Sequence, residues 1–158
     1  MSVAFRRESD DEHMEPQYEL PIPVGPNLVT PRGLRLIVEK LAALKASAEA
    51  ETDEEARKKI LRSIRYFATR QSTADVQPTP KDGHVGIGSR VTFVLDGRER
   101  SLTIVGHDES EPNQGLIAFS APLGRALMNA EAGDFMSFQG RDDVIEILSV
   151  QADPKVQA

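Results

Sequence analysis

The chain has 158 residues, 39% of them hydrophobic and 28% charged, with a formal net charge of −6, no cysteine and no tryptophan. That size allows one ordinary domain with an appendage and not two large cores. The missing cysteine excludes disulfide scaffolds, thiol catalysis and cysteine-based zinc or iron–sulfur centres. Divided along the chain, residues 1–29 carry a net −4, residues 30–75 a net +3 and residues 76–158 a net −5, so wrapping a DNA duplex is disfavoured and a protein partner is expected.

The opening "MSVAFRRESDDEHME" has neither the apolar core nor the cleavage site of a signal peptide, and no later segment reaches the roughly 20 apolar residues of a membrane span. A soluble cytoplasmic protein is expected, without membrane association. Pro16, Pro21, Pro23 and Pro26 punctuate residues 1–29, which read as a disordered acidic, proline-rich leader.

At "VTPRGLRLIVEKLAALKASAEA" Thr30 can cap a helix whose first residue is Pro31. Leu34, Ile37, Leu41, Leu44 and Ala48 recur as a seam for one partner helix. That partner follows in "TDEEARKKILRSIRYFATRQ", with Ile60, Ile64 and Phe67 in its seam, Leu61 and Ala68 flanking it, and an end near Thr73. A short acidic link makes the pair antiparallel, so residues 30–75 form a helical hairpin, a short coiled-coil arm roughly 25–28 Å long. At its tip lie Glu51, Asp53, Glu54 and Glu55. Thr52 with Glu55 reads as a capping box, which gives these acids a structural role without any metal. Arg57, Lys58, Arg62 and Arg65 form a basic face on the second helix, suited to acidic walls or RNA and equally to plain solvation.

Residues 76–84 read as a linker, and from Val85 the period changes to two. Val91, Phe93 and Leu95 alternate with polar positions, "DG" at Asp96–Gly97 signals a hairpin, and further strands are expected at "LIAF", "FMSFQ" and "VIEILSV". One short helix, Pro122 to about Ala130, is inserted among them, with Ser120 as its cap, Leu123, Leu127 and Ala130 as its buried stripe, and Gly133 as its stop. The class is α+β, a helical hairpin followed by a small antiparallel sheet with one helix over residues 85–151, and a tail at 152–158. His107, Asp108, Glu109 and Glu111 resemble a metal cluster superficially and read as a solvated loop. The three histidines lack metal-ligand spacing, so neither metal nor cofactor is expected.

The run "APLGRALMNAEAGDFMSF", with "VTPRGLRLIVEKLAALK" and "TIVGHDESEPNQGLIAFS", resembles the bacterial transcription elongation factors GreA and GreB and their shorter-armed, Rnk-like relatives. The resemblance implies an FKBP-like C-terminal domain that grips the rim of the secondary channel of RNA polymerase, and an arm that enters the channel. Carried onto this chain, the docking corner is Ser120, Ala121 and Pro122, with Leu123 and Arg125 following. The family commonly has Asp or Asn in place of Ser120, and Ser in place of Ala121. Cleavage-stimulating members carry a "D-L-S-E-N-A-E-Y"-type tip that helps hold Mg²⁺ in the polymerase; this chain has "EAETDEEARKK" instead. The resemblance therefore implies a regulator acting by occupancy, a monomer or a weak self-associator, with its basic face within reach of nascent RNA. Two alternatives stand beside it: a genuine cleavage factor with an atypical acidic tip, and an FKBP-type prolyl isomerase. Isomerisation relies on an aromatic-walled pocket, and between Val85 and Val150 the only aromatic rings are Phe93, Phe119, Phe135 and Phe138, so no enzyme and no catalytic residue are expected.

Overall fold

The computed structural model describes residues 19–158; the expectation of a disordered leader lies, for residues 1–18, outside the described residues. The end of that leader is ordered differently from the reading above. Leu28–Val29 is a strand, β1, paired in parallel with β2, Asp75–Val76. Between them stands the helical hairpin, so the short ladder closes its open end.

Helix α1, Pro31–Ala50, starts as its sequence dictates. The Thr30 side chain accepts from the Gly33 N–H and Pro31 occupies the first turn, where helix N–H groups have no carbonyl to bond. Helix α2, Glu54–Thr73, follows after a three-residue link. Each helix has 20 residues, which makes the arm about 30 Å long. Ile37, Leu41 and Ala48 are buried along α1, and Ile60, Leu61, Ile64 and Phe67 of α2 are half-buried against them. Ala68 is exposed. The seam passes instead from Ile64 and Phe67 to Arg70, three residues further on, and Arg70 is 1% exposed.

The C-terminal sheet has five strands in the order β5-β4-β3-β7-β6. Strands β3 (Ser89–Leu95) and β4 (Arg98–Val105) form the expected hairpin. Its turn residues Asp96 (φ 53°) and Gly97 (φ 75°) are both left-handed, the backbone twist that suits a two-residue hairpin. Strand β7 (Arg141–Ala152) lies antiparallel to β3 and to β6 (Phe135–Phe138). The fully antiparallel expectation fails at one edge, because β5 (Leu116–Ala118) runs parallel to β4. Two 3₁₀ turns, His107–Glu109 and Pro112–Gln114, carry the chain back so that β5 starts beside Thr103 and runs in the same direction. The sheet is therefore mixed.

Phe93, Ile104, Ile145, Ile147 and Val91 form the core under helix α3, Pro122–Leu127, which contributes Leu127. This helix is shorter than expected. Asn129 turns left-handed (φ 66°) and ends the run, whereas Gly133 serves a later turn in which its N–H donates to the Ile147 carbonyl. The expected tail is also structured: Asp153 caps a 3₁₀ turn at Pro154–Val156, and Val156 is buried with Val105 and Leu116. No helix among the described residues is long and apolar enough to cross a membrane.

Candidate functional site

The corner between β5 and α3 is built by the backbone. The Phe119 N–H donates to the Val105 carbonyl and the Ala121 N–H to the Ala118 carbonyl, which turns the chain sharply off the sheet edge. Pro122 then starts α3 at a position where a missing N–H leaves nothing unsatisfied, and it is exposed, as is Arg125. Leu123 is half-buried and packs against the core. The corner thus presents a proline-headed edge seated on the packed core. Ser120 does not cap the helix: Ala121 occupies the cap position and offers no side-chain acceptor. The Ser120 Oγ instead lies 2.6 Å from His107 Nε2, and the His107 ring meets Phe119 edge-on.

His107 opens a network that the sequence reading had placed in a solvated loop. Burial, aided by the positive charge of Arg70, holds its imidazole below the usual histidine range, against the opposing pull of Asp108. The neutral ring is therefore favoured near neutral pH. Asp108 accepts from the Arg70 Nε at 2.7 Å and from the Tyr66 hydroxyl at 2.7 Å. Desolvation, then the bond to Asp108, pushes the Tyr66 phenol up to about 12, so this hydroxyl remains a donor. Glu109, 4% exposed, accepts from the Thr30 hydroxyl and from Arg32 Nη1 at 2.9 Å. Asn27 completes the junction by donating to the Arg70 carbonyl at 2.8 Å and to Thr73 Oγ1 at 3.1 Å.

These residues bind the foot of the arm to the C-terminal domain, and the corner sits directly behind them through Ser120 and His107. Asp108 and Glu109 are joint-forming carboxylates. Glu111 is exposed on the next turn, and no group of three or more His, Asp or Glu side chains among the described residues gathers in a metal-ligating arrangement. Buried charges of this kind persist only when paired and hydrogen-bonded. One signal could have located the joint: Arg70 continues the Ile64–Phe67 spacing, a charge on an apolar seam facing a loop with two adjacent acids.

At the arm's tip the capping residue is Asp53, which accepts from the Ala56 N–H at 2.8 Å, and not Thr52. Glu51 accepts from the N–H groups of Thr52 and Asp53. Glu54 and Glu55 flank Lys58 at 3.9 and 3.5 Å. The first-turn acids therefore complement the helix dipole and the nearest lysine.

The basic face is likewise committed in part. Arg57 Nε donates to the Ala48 carbonyl in the last turn of α1, tying the two helices together near the tip. Arg65 forms a two-pronged pair with Glu19, at 2.7 Å from each carboxylate oxygen. That bond, more than the neighbouring charges of Arg65 and Arg62, holds the Glu19 carboxyl below its ordinary range. Structure therefore brings Arg62 and Arg65 together around the described start of the chain and leaves Lys58 turned to the tip acids. Phe93 is wholly buried, Phe119 and Phe138 pack against the core, and Phe135 is 57% exposed.

Comparison with known proteins extends this picture. The family model described as "Transcription elongation factor, GreA/GreB, C-term" matches residues 79–152. The transcription elongation factor GreA of Thermomicrobium roseum is 41% identical over 64 residues, 40% of this chain and 41% of that protein. GreA of Chloroflexus aurantiacus is 35% identical over 107 residues, 61% of this chain and 68% of that protein. The crystal structure of GreA factor homolog 1 (Gfh1) of Thermus thermophilus aligns with 81% of this chain and all of its own at 15% identity, with a TM-score of 0.39. On the family match over residues 79–152 and a 35%-identical relative covered over 68% of its length, the chain belongs to the GreA/GreB family of transcription elongation factors.

Proposed function

We propose that this protein binds RNA polymerase through the corner at Ser120, Ala121 and Pro122, supported by Leu123 and Arg125, and acts by occupancy with a shortened arm placed in or over the secondary channel. In this reading it is a short-armed, Rnk-like member that works in the cytoplasm. A factor of this family is not itself an enzyme, so any hydrolysis it promoted would be the polymerase's own.

One observation carries the choice of occupancy over cleavage: every acid at the tip already has a local task. Asp53 caps α2, Glu51 holds two backbone N–H groups, and Glu54 and Glu55 face Lys58. Activating water through Mg²⁺ takes carboxylate oxygens free to bind a hard cation while leaving water positions open. At the tip one oxygen of each acid is engaged locally, by backbone N–H groups or by Lys58, and these acids do not gather into a metal-ligating group among the described residues.

The test is transcript shortening in stalled polymerase complexes. Added protein is expected to leave the rate within twofold of its basal value and to slow shortening when a cleavage-stimulating GreA is present. A clear acceleration, abolished by the triple change Asp53→Ala, Glu54→Ala and Glu55→Ala, would establish the atypical cleavage factor in its place.

A further inference from the structure

On the face of the sheet opposite α3, at the foot of the arm, lies a cleft of about 420 Å³. Three elements wall it: the first turn of α1 with Arg32, strand β3 with Arg90, and the C-terminal 3₁₀ turn with Lys155. Ser101 and Thr103 of β4 and Gln114 of the 3₁₀ turn that follows it line the cleft as well. In the sheet register Arg90 stands opposite Thr103, and Thr92 opposite Ser101, so cation and hydroxyls occupy adjacent rows of one surface.

The charge pattern singles this cleft out. Residues 76–158 carry a net −5, yet two of their cations, Arg90 and Lys155, line this cleft together with Arg32 of the arm. Neither Arg90 nor Lys155 is ion-paired among the described residues. Of the two acids in the lining, Asp153 is 5% exposed and spends its oxygens on the Thr103 hydroxyl and the Lys155 N–H, which leaves Glu111 at the rim as the only opposing carboxylate with solvent access. Arg32 already reaches Glu109 through Nη1; its second terminal nitrogen is not used by that bond.

We infer that this cleft binds a phosphorylated small molecule of nucleotide size. A guanidinium presents paired donors that match phosphate oxygens, a lysine adds a mobile point charge, and the exposed Ser101 hydroxyl and Gln114 amide suit a sugar or base edge. The volume lies within the range of small-ligand sites, roughly 300–1,000 Å³, and such sites favour junctions between structural units. The site is separate from the docking corner and does not rest on it.

Isothermal titration of the full chain with guanosine triphosphate, guanosine monophosphate and inorganic triphosphate tests this. Saturable one-to-one binding is expected, weakened at least tenfold in Arg90→Gln/Lys155→Gln and unchanged in Lys58→Gln/Arg65→Gln on the arm. Binding of guanosine triphosphate and of inorganic triphosphate with equal affinity would assign the cleft to the phosphate chain alone, which still supports it. Absence of saturable binding at millimolar ligand, or equal loss in the arm variant, would overturn the inference. Thermal unfolding of each variant without ligand, expected within about 2 °C of the parent, separates lost binding from lost fold.

Discussion

Replacing Arg70 with alanine is expected to destabilise the protein by about 3–5 kcal/mol, the usual cost of stranding one partner of a buried ion pair. Arg70 is among the largest fully buried side chains among the described residues. Its Nε–Asp108 contact is 2.7 Å, with the two side chains 2% and 9% exposed. In Arg70→Ala the Asp108 carboxylate would keep only the Tyr66 hydroxyl, too little to offset burial of a charge. Urea unfolding measures the loss, and the melting temperature should fall by roughly 10 °C. The double variant Arg70→Met/Asp108→Leu should recover more than half of the difference, because removing both charges also removes their desolvation cost. A loss below about 1 kcal/mol in the single variant would mean that the joint is held elsewhere.

The second large effect is expected at Gly106, where β4 ends and the joint begins. A Cβ built on Gly106 would stand 2.4 Å from the Leu28 carbonyl oxygen and 3.6 Å from the Val29 Cα. Both are backbone atoms of β1, itself pinned to β2 by its ladder, so no flexible side chain can yield. Gly106→Ala should therefore cost about 3 kcal/mol, at the upper end of the usual range for overpacking a filled site. It should also push β1 away from the end of β4 and loosen the foot of the arm. Amide hydrogen exchange at Asp75 and Gln77, whose N–H groups donate to Asn27 and Val29 carbonyls, reports that loosening directly. Unchanged protection there, with unchanged stability, would show that the backbone has room to shift.

Local chemistry was readable wherever neighbours in sequence decide the outcome. The Thr30–Pro31 start, the Ile37, Leu41 and Ala48 seam and the Asp96–Gly97 turn each depend on residues within a few positions of one another, so propensity, capping and period agree. The larger misreadings share one cause, a partner far along the chain. Ser120 has a cap-forming hydroxyl, but His107, thirteen residues earlier, claims it. Asp108 and Glu109 look like loop acids until Arg70, Tyr66, Thr30 and Arg32 arrive from the hairpin, 38 to 79 residues away. The parallel placement of β5 likewise follows from the 3₁₀ turns that return the chain, and nothing in the three residues of "LIA" encodes direction. At the tip the expected Thr52–Glu55 capping box does not form: Asp53 caps the helix, Glu51 takes the Thr52 and Asp53 N–H groups, and Glu55 faces Lys58.

In the proposed reading, joint and corner work as one mechanical unit. The corner needs a fixed base if force from a large partner is to orient the arm, and that base is the buried set of Arg70, Asp108, Glu109 and Thr30. Sequence departures at Ser120 and Ala121 leave the proline-headed bend intact, because backbone donors to Val105 and Ala118 shape it.

Retention of core RNA polymerase on the immobilised full-length protein is the most direct measurement, made in parallel with the Ser120→Ala/Pro122→Ala variant at matched folding stability. Saturable capture by the parent, weakened at least tenfold in the variant, is the predicted result. Equal capture by both proteins would displace docking from the corner, and capture by neither would contradict polymerase binding altogether.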